Sequence, residues 1–214
     1  MHGVGSQQTQ KAIAMIELQP EKMIGKGLHR ECYVHPDDDS RCIKVVVNRG
    51  VEETRREQAY YKLLQKQGID WQMLPKFYGN VSTTKGQGAV FDLVRDSDGH
   101  VAKTLEYYFQ STELTEQNQQ GLAKAIALLK QYLLTQNIIV MTLKPKNIVY
   151  QRQSDDEGQA IIIDNIGNSD VIPISSYCRY FGRKKIERKW NRFIALVRRD
   201  YPDNPVLQVL LNQI

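Results

Sequence analysis

Val140-Met141-Thr142-Leu143-Lys144-Pro145-Lys146-Asn147, followed by Ile161-Ile162-Ile163-Asp164-Asn165-Ile166-Gly167, decides how this chain is read. Ile138-Ile139-Val140 is a short apolar run leading into the first stretch, Ile148-Val149-Tyr150 follows it, and Ile161-Ile162-Ile163 delivers Asp164 at its end. The last two runs, separated by the polar Ser154-Asp155-Asp156-Glu157-Gly158, predict a β-hairpin. Taken alone, the Leu-Lys-Pro-x-Asn string is equally consistent with a plain turn, since Pro145 biases Lys144 toward extended backbone and Asn tolerates turn geometry. The hairpin changes the balance, because it brings Asn147 close to Asp164. A carboxylate beside an amide oxygen suits the all-oxygen coordination of magnesium, with nucleotide phosphates filling the other positions. Asn147 and Asp164 are therefore expected to hold Mg2+, or Mn2+, with ATP.

Outward from this stretch, the composition sets limits. The chain has 214 residues, 41% of them apolar and 25% charged, which suits a folded protein of one domain or two packed lobes. No apolar run approaches membrane-spanning length and the first residues lack a secretion signal, so a cytoplasmic protein without membrane insertion is expected. Cys32, Cys42 and Cys178 cannot all pair, and thiols are expected even if Cys32 and Cys42 share one hairpin. The net charge of +5 is local: residues 179–199 hold nine basic residues and one acidic, leaving the rest at −3. Ile186, Trp190, Phe193, Ile194 and Val197 recur there at helical spacing. The segment reads either as a core-packed helix with a solvated basic side or as a surface for an acidic or phosphate-rich partner, nucleic acid included.

Strands are expected at 22–25, 31–35, 41–47, 77–83 and 89–94, with a helix at 52–67 between the third and fourth. From 104 onward the pattern turns helical, and Leu122, Ala125, Ile126, Leu129 and Leu133 mark a long helix ending near Asn137. The change falls at Arg95-Asp96-Ser97-Asp98-Gly99, a candidate hinge. The expected organisation is a disordered extension over 1–14, a β-rich lobe over 15–94 and a mostly helical lobe over 95–214.

Two further motifs lie in the β-rich part. Gly25-Lys26-Gly27 stands between two strands, where bare backbone lets phosphates approach, although a simple turn pair reads the same way. His29 and Arg30 in that loop add positive charge near phosphates. Lys44, in Cys42-Ile43-Lys44-Val45-Val46, needs an acidic partner among apolar neighbours. Glu57 on the following helix is the choice, with Glu53 one turn earlier as the alternative.

The ordered set Gly-x-Gly, Lys, Glu, Leu-Lys-Pro-x-Asn and Asp resembles the protein-kinase-like superfamily, whose catalytic loop H-R-D-L-x-x-x-N and strand V-A-I-K carry the same positions. It is more closely similar to the bacterial YrbL family, also called PhoP regulatory network proteins, through Gly25 to Tyr33, Arg41 to Lys44, Arg55-Arg56-Glu57 with Tyr60-Tyr61, Met141 to Ile148, Asp164 to Gly167, and Glu187-Arg188 with Trp190 and Arg192-Phe193-Ile194. The resemblance implies an α+β kinase-like fold of two lobes, the C-terminal one short, with Gly25, Gly27, Lys44 and Glu57 at the nucleotide and Asn147 and Asp164 at the metal. It also implies a place in a PhoP regulatory network. The departures are specific. Thr142 stands where kinases place the Asp that accepts the substrate proton, Asn165-Ile166-Gly167 replaces the residues after Asp164, the third loop glycine is Arg30, and no Ala-Pro-Glu follows.

Three functions are compatible with this set. One is an atypical phosphotransferase or nucleotidyl transferase, with Thr142 and Lys144 at the reacting groups and a protein or small molecule as substrate. A second is a pseudokinase that binds ATP without turnover. The third is an interaction module acting through the basic helix.

Overall fold

Alternation along two neighbouring strands sets the geometry of the N-terminal half. In the computed structural model, which describes residues 15–48, 51–154, 157–168, 170 and 173–214, five strands form one antiparallel sheet. They are β1 (Met23–Lys26), β2 (Arg30–His35), β3 (Asp38–Val46), β4 (Phe77–Thr83) and β5 (Gly86–Asp92), in the order β1-β2-β3-β5-β4. Successive residues of a strand face opposite sides. Tyr33, Ile43, Val45 and Val90 therefore pack with Leu18 on one face. Arg30, Cys32, Cys42 and Lys44 belong to the other, with Cys32 directly opposite Lys44 in the ladder.

That second face is crossed by α1 (Val51–Gln67), which buries Glu57, Tyr60, Tyr61 and Leu64. The Tyr61 ring meets Phe91 edge-on at 5.3 Å and stacks on Trp71 at 6.1 Å, a cluster that fixes the helix on the sheet. The sheet edge at β4 is capped by Ile16, whose N–H bonds Ser82 at 2.8 Å and whose carbonyl accepts from Thr84 at 2.9 Å.

Two strands differ from expectation at their ends. β3 begins at Asp38 because Pro36-Asp37 alone make the turn, with His35 opposite Asp38. β5 begins at Gly86 because Thr84-Lys85 suffice to reverse the chain, and Gly86 supplies the φ of +99° there.

The C-terminal half runs β6 (Lys103–Thr104), α2 (Leu105–Phe109), α3 (Thr112–Gln117), α4 (Gln119–Gln136), β7 (Ile148–Arg152), β8 (Gly158–Ile162), α5 (Ile174–Tyr177), α6 (Arg179–Asp200) and α7 (Pro205–Leu210). α4 stops where the sequence predicts, at Asn137, which takes the left-handed conformation (φ 55°) that Asn tolerates. Its Leu122, Ile126, Leu129 and Leu133 are buried, each worth roughly 1.5–3 kcal/mol. β7 and β8 form the expected hairpin, with Ile148 opposite Ile162. Residues 155–156 of its turn, and the 1–14 extension, lie outside the described residues.

The 95–99 segment is fastened to this hairpin. Asp96 accepts from the Arg152 backbone at 2.9 Å and from its guanidinium at 3.1 Å, and Ser97 bonds the Arg152 carbonyl at 2.9 Å. One apolar cluster runs from Cys42 and Tyr61 through Leu129, Ile148 and Ile162 to Trp190 and Leu210. The architecture is α+β, a β-rich N-terminal part with one inserted helix followed by a mostly helical part.

Candidate functional site

The two stretches quoted at the outset are zipped together. Val140 bridges Ile166, Met141 N–H bonds the Asn165 carbonyl at 2.8 Å, and Gly167 N–H bonds Ile139 at 3.0 Å. Ile163 N–H bonds the Asn147 carbonyl at 2.9 Å, so the hairpin brings Asn147 beside Asp164. The Tyr60 hydroxyl on α1 accepts from Ile139 N–H at 2.8 Å and ties the same loop to the N-terminal half. Burial pushes the Tyr60 phenol up to about 12, so it stays protonated. Lys144 is extended before Pro145, as a residue preceding proline must be, and half-buried, whereas Thr142 is exposed.

Arg30 is the centre of the site. It leads β2 from the face toward α1, and its guanidinium donates to both the Glu57 and the Asp164 carboxylates. Glu57, only 2% exposed, thus takes Arg30 as its hydrogen-bonded partner in place of the Lys44 that the sequence suggested, and Glu53 is exposed. Lys44 donates to the Ile163 carbonyl, one residue before Asp164, and lies 4.6 Å from the Phe91 ring centre. Burial pushes the Glu57 carboxyl up, against the pull of Arg30 and then Lys44. Burial also opposes the Arg30 charge, but Glu57 and Asp164 outweigh it and raise its pKa.

The donors suit a magnesium ion. Asn147 is 6% exposed and its Nδ2 has no hydrogen-bond partner, which leaves an N–H donor free for an acceptor such as a phosphate oxygen while Oδ1 is the atom able to ligate a cation. Asp164 also accepts from Asn165 N–H at 2.7 Å, with Asn165 in the left-handed region at φ 62°. Among the described residues no group of three or more His, Cys, Asp or Glu gathers to hold a metal. Two protein oxygens fit Mg2+ when phosphates and water complete its shell, and Arg30 must then release Asp164.

Gly25 lies within β1 opposite Cys32, and Gly27 opens the β1–β2 turn, which its N–H closes on the Arg30 carbonyl at 2.8 Å. Neither has positive φ, and a methyl group at Gly25 would meet only the Cys32 Cβ at 3.9 Å. The fold itself does not require glycine there. Lys26 between them turns to Glu31 at 3.3 Å, while His29 is partly buried with its Nδ1 unpaired.

α6 docks on the cleft loops through contacts the sequence reading missed. Lys189 donates to the Met141 carbonyl, next to Thr142. Lys185, 6% exposed, bonds Asn168 at 2.5 Å and Asp170 at 2.6 Å. Asn168 in turn donates to the Ser175 and Ser176 hydroxyls at 2.9 and 3.0 Å. Burial, then the nearby Lys185, Arg192 and Arg188 charges, lower the Lys189 pKa, with Asp170 opposing them. A signal was present in the sequence: Lys185 and Lys189 lie four residues apart beside the apolar stripe, where a purely solvated face would not require lysine at both.

Residues 16–198 match the model of the family described as PhoP regulatory network protein YrbL. The chain belongs to that family. It is 40% identical over 184 residues to YrbL of Escherichia coli (strain K12), covering 85% of this chain and 87% of that protein. A more distant similarity, 22% identity over 180 residues, joins it to the serine/threonine-protein kinase OXI1 of Arabidopsis thaliana, covering 79% of this chain and 41% of that kinase. Among solved structures, the kinase domain of Mycobacterium tuberculosis PknI aligns with a TM-score of 0.45 at 14% identity, over 67% of this chain and 57% of that one. No helix among the described residues is long and apolar enough to cross a membrane.

Proposed function

We propose that this YrbL-family chain binds MgATP in the cleft between the β1–β2 turn, α1 and the β7–β8 hairpin, and acts as an atypical phosphotransferase without a carboxylate base. The observation that carries this reading is the convergence of Arg30, Lys44, Glu57 and Asp164, from four separate stretches, beside the buried Asn147. Lys44 and Lys144 supply cations for phosphates, Gly25 and Gly27 leave the turn bare, and Asn147 with Asp164 hold the metal. Bound there, Mg2+ supplies charge neutralisation at the phosphate oxygens.

Phosphoryl transfer through a loose transition state depends mainly on positioning and charge neutralisation. A threonine hydroxyl does not accept a proton at neutral pH, so Thr142 orients the acceptor by hydrogen bonding. The rate then falls short by the roughly 10²- to 10⁴-fold that a general base contributes.

The Arg30–Asp164 pair favours a second reading. MgATP that displaces Arg30 from Asp164 shifts the β1–β2 turn relative to the hairpin, and so alters affinity for a partner without any transfer.

γ-Labelled ATP with Mg2+ or Mn2+ separates the two readings on wild type, Lys44→Ala, Asp164→Ala and Thr142→Asp. Nucleotide binding by thermal shift and slow label transfer are expected in wild type and lost in the first two variants. Thr142→Asp is expected to raise transfer about 100-fold. Binding with no transfer in either wild type or Thr142→Asp selects the second reading. Absence of any MgATP-dependent shift sinks both.

A further inference from the structure

Four cations of α6 share one face and that face meets the cleft loops. Lys185, Arg188, Lys189 and Arg192 stand at i, i+3, i+4 and i+7. Lys185 is anchored to Asn168 and Asp170, and Lys189 to the carbonyl of Met141. Further along the helix, Asp200 lies within electrostatic reach of Lys144, so α6 runs beside the loop carrying exposed Thr142. Arg188 and Arg192 are exposed and form no ion pair among the described residues. Asp170, the carboxylate near this face, is engaged by Lys185 and also lies within electrostatic reach of Arg188 without pairing with it, and Glu187 projects from the opposite side of the helix.

Like charges fixed on one rigid face repel, and a bound anion relieves them. Guanidinium groups match phosphate through paired parallel hydrogen bonds. The stripe is short, seven residues at 1.5 Å each or about 10 Å. That length fits one or two phosphates and falls well below the roughly six to ten contacts of a duplex-binding surface.

We infer that the acceptor is a small phosphate-bearing molecule, its phosphate held by Arg188 and Arg192 with Lys189 behind them and its hydroxyl at Thr142. This assignment rests on the MgATP reading. An acceptor hydroxyl oxygen forms the new bond to the γ-phosphorus of ATP as the bond to the ADP oxygen breaks, and the hydroxyl proton passes to water.

The test titrates the full chain with inorganic phosphate at constant ionic strength by calorimetry, with and without saturating MgATP. Saturable binding is expected, weakened at least about tenfold in Arg188→Ala/Arg192→Ala but by less than about twofold in Lys62→Ala/Arg183→Ala, which removes equal charge outside the stripe. Phosphate and MgATP are expected to bind together. No saturable phosphate binding, equal weakening in both variants, or mutual exclusion with MgATP overturns the acceptor site. Tighter binding of a 12-base-pair DNA duplex with equal loss in both double variants overturns it in favour of nucleic acid. MgATP binding is read separately on the same samples: its absence refutes the nucleotide reading, while the phosphate titration still decides whether the anion site exists.

Discussion

Arg30 and Glu57 form the pair that a lysine was expected to form. The Arg30 guanidinium reaches across from β2 to the Glu57 carboxylate on α1 and spends its second amino group on Asp164, leaving Lys44 on the Ile163 carbonyl. An internal cation therefore occupies both acidic groups of the candidate site.

Replacing Arg30 by Ala leaves Glu57 buried without its hydrogen-bonded partner. Breaking a buried pair costs about 3–5 kcal/mol, and urea unfolding of Arg30→Ala is expected near the lower end because Lys44 stands close. Since burial raises the folded pKa of Glu57, its charged form opposes folding. Its contribution is best below the ordinary carboxyl range and is lost as pH rises through the raised folded value. Arg30→Ala should steepen that loss, and Arg30→Ala/Glu57→Gln should abolish it. MgATP affinity of Arg30→Ala is expected to rise, because Asp164 no longer has a competing cation.

Glu31 carries the opposite sign. The Tyr33 hydroxyl, then Lys85 and Lys26, hold its carboxyl down to about 2. The stability it contributes is present above the unfolded carboxyl pKa near 4.5 and is lost as pH falls toward about 2. Glu31→Gln should flatten that part of the acid limb in unfolding midpoints, and an unchanged limb would contradict the assignment.

Two glycines should behave in opposite ways. Gly25→Ala meets only Cys32 at 3.9 Å, so its unfolding midpoint should stay within about 0.5 kcal/mol of wild type while MgATP affinity falls. Gly182→Ala puts a methyl group 1.8 Å from the Asn137 amide oxygen and 2.8 Å from the Ser175 carbonyl. Asn137 is the left-handed cap of α4 and donates to Ser175 at 3.1 Å, so it cannot yield cheaply. A loss of about 1–3 kcal/mol is expected.

Asn147→Leu separates stability from function. A buried polar group without a partner costs about 1–3 kcal/mol, so removing the orphaned amide should leave the free protein as stable as wild type or more so. Metal-dependent ATP binding should disappear in the same variant. Thermal unfolding with and without MgATP measures both, and a stability loss of the size expected for a broken hydrogen bond would show that the amide serves the fold.

The elements that carry the candidate site were legible along the chain because they are local. The hairpin over Ile148 and Ile162, the end of α4 near Asn137 and the helices expected over 52–67 and 179–199 each follow from residue spacing and turn chemistry. The kinase-like order of motifs was legible for the same reason. Partner choice was not. Lys44 and Arg30 lie on the same face of adjacent strands, and nothing in their spacing decides which reaches the helix carboxylate.

The sequence by itself determined the α+β architecture and the family. Only the tertiary structure decided that Arg30 rather than Lys44 holds Glu57, that Met141 pairs with Asn165, and that Lys189 brings the basic helix to the Thr142 loop. Those contacts join residues 24 to 48 positions apart. Their geometry depends on how the sheet, α1, the hairpin and α6 pack around one apolar core, and on which charges that packing removes from water. No local periodicity encodes that.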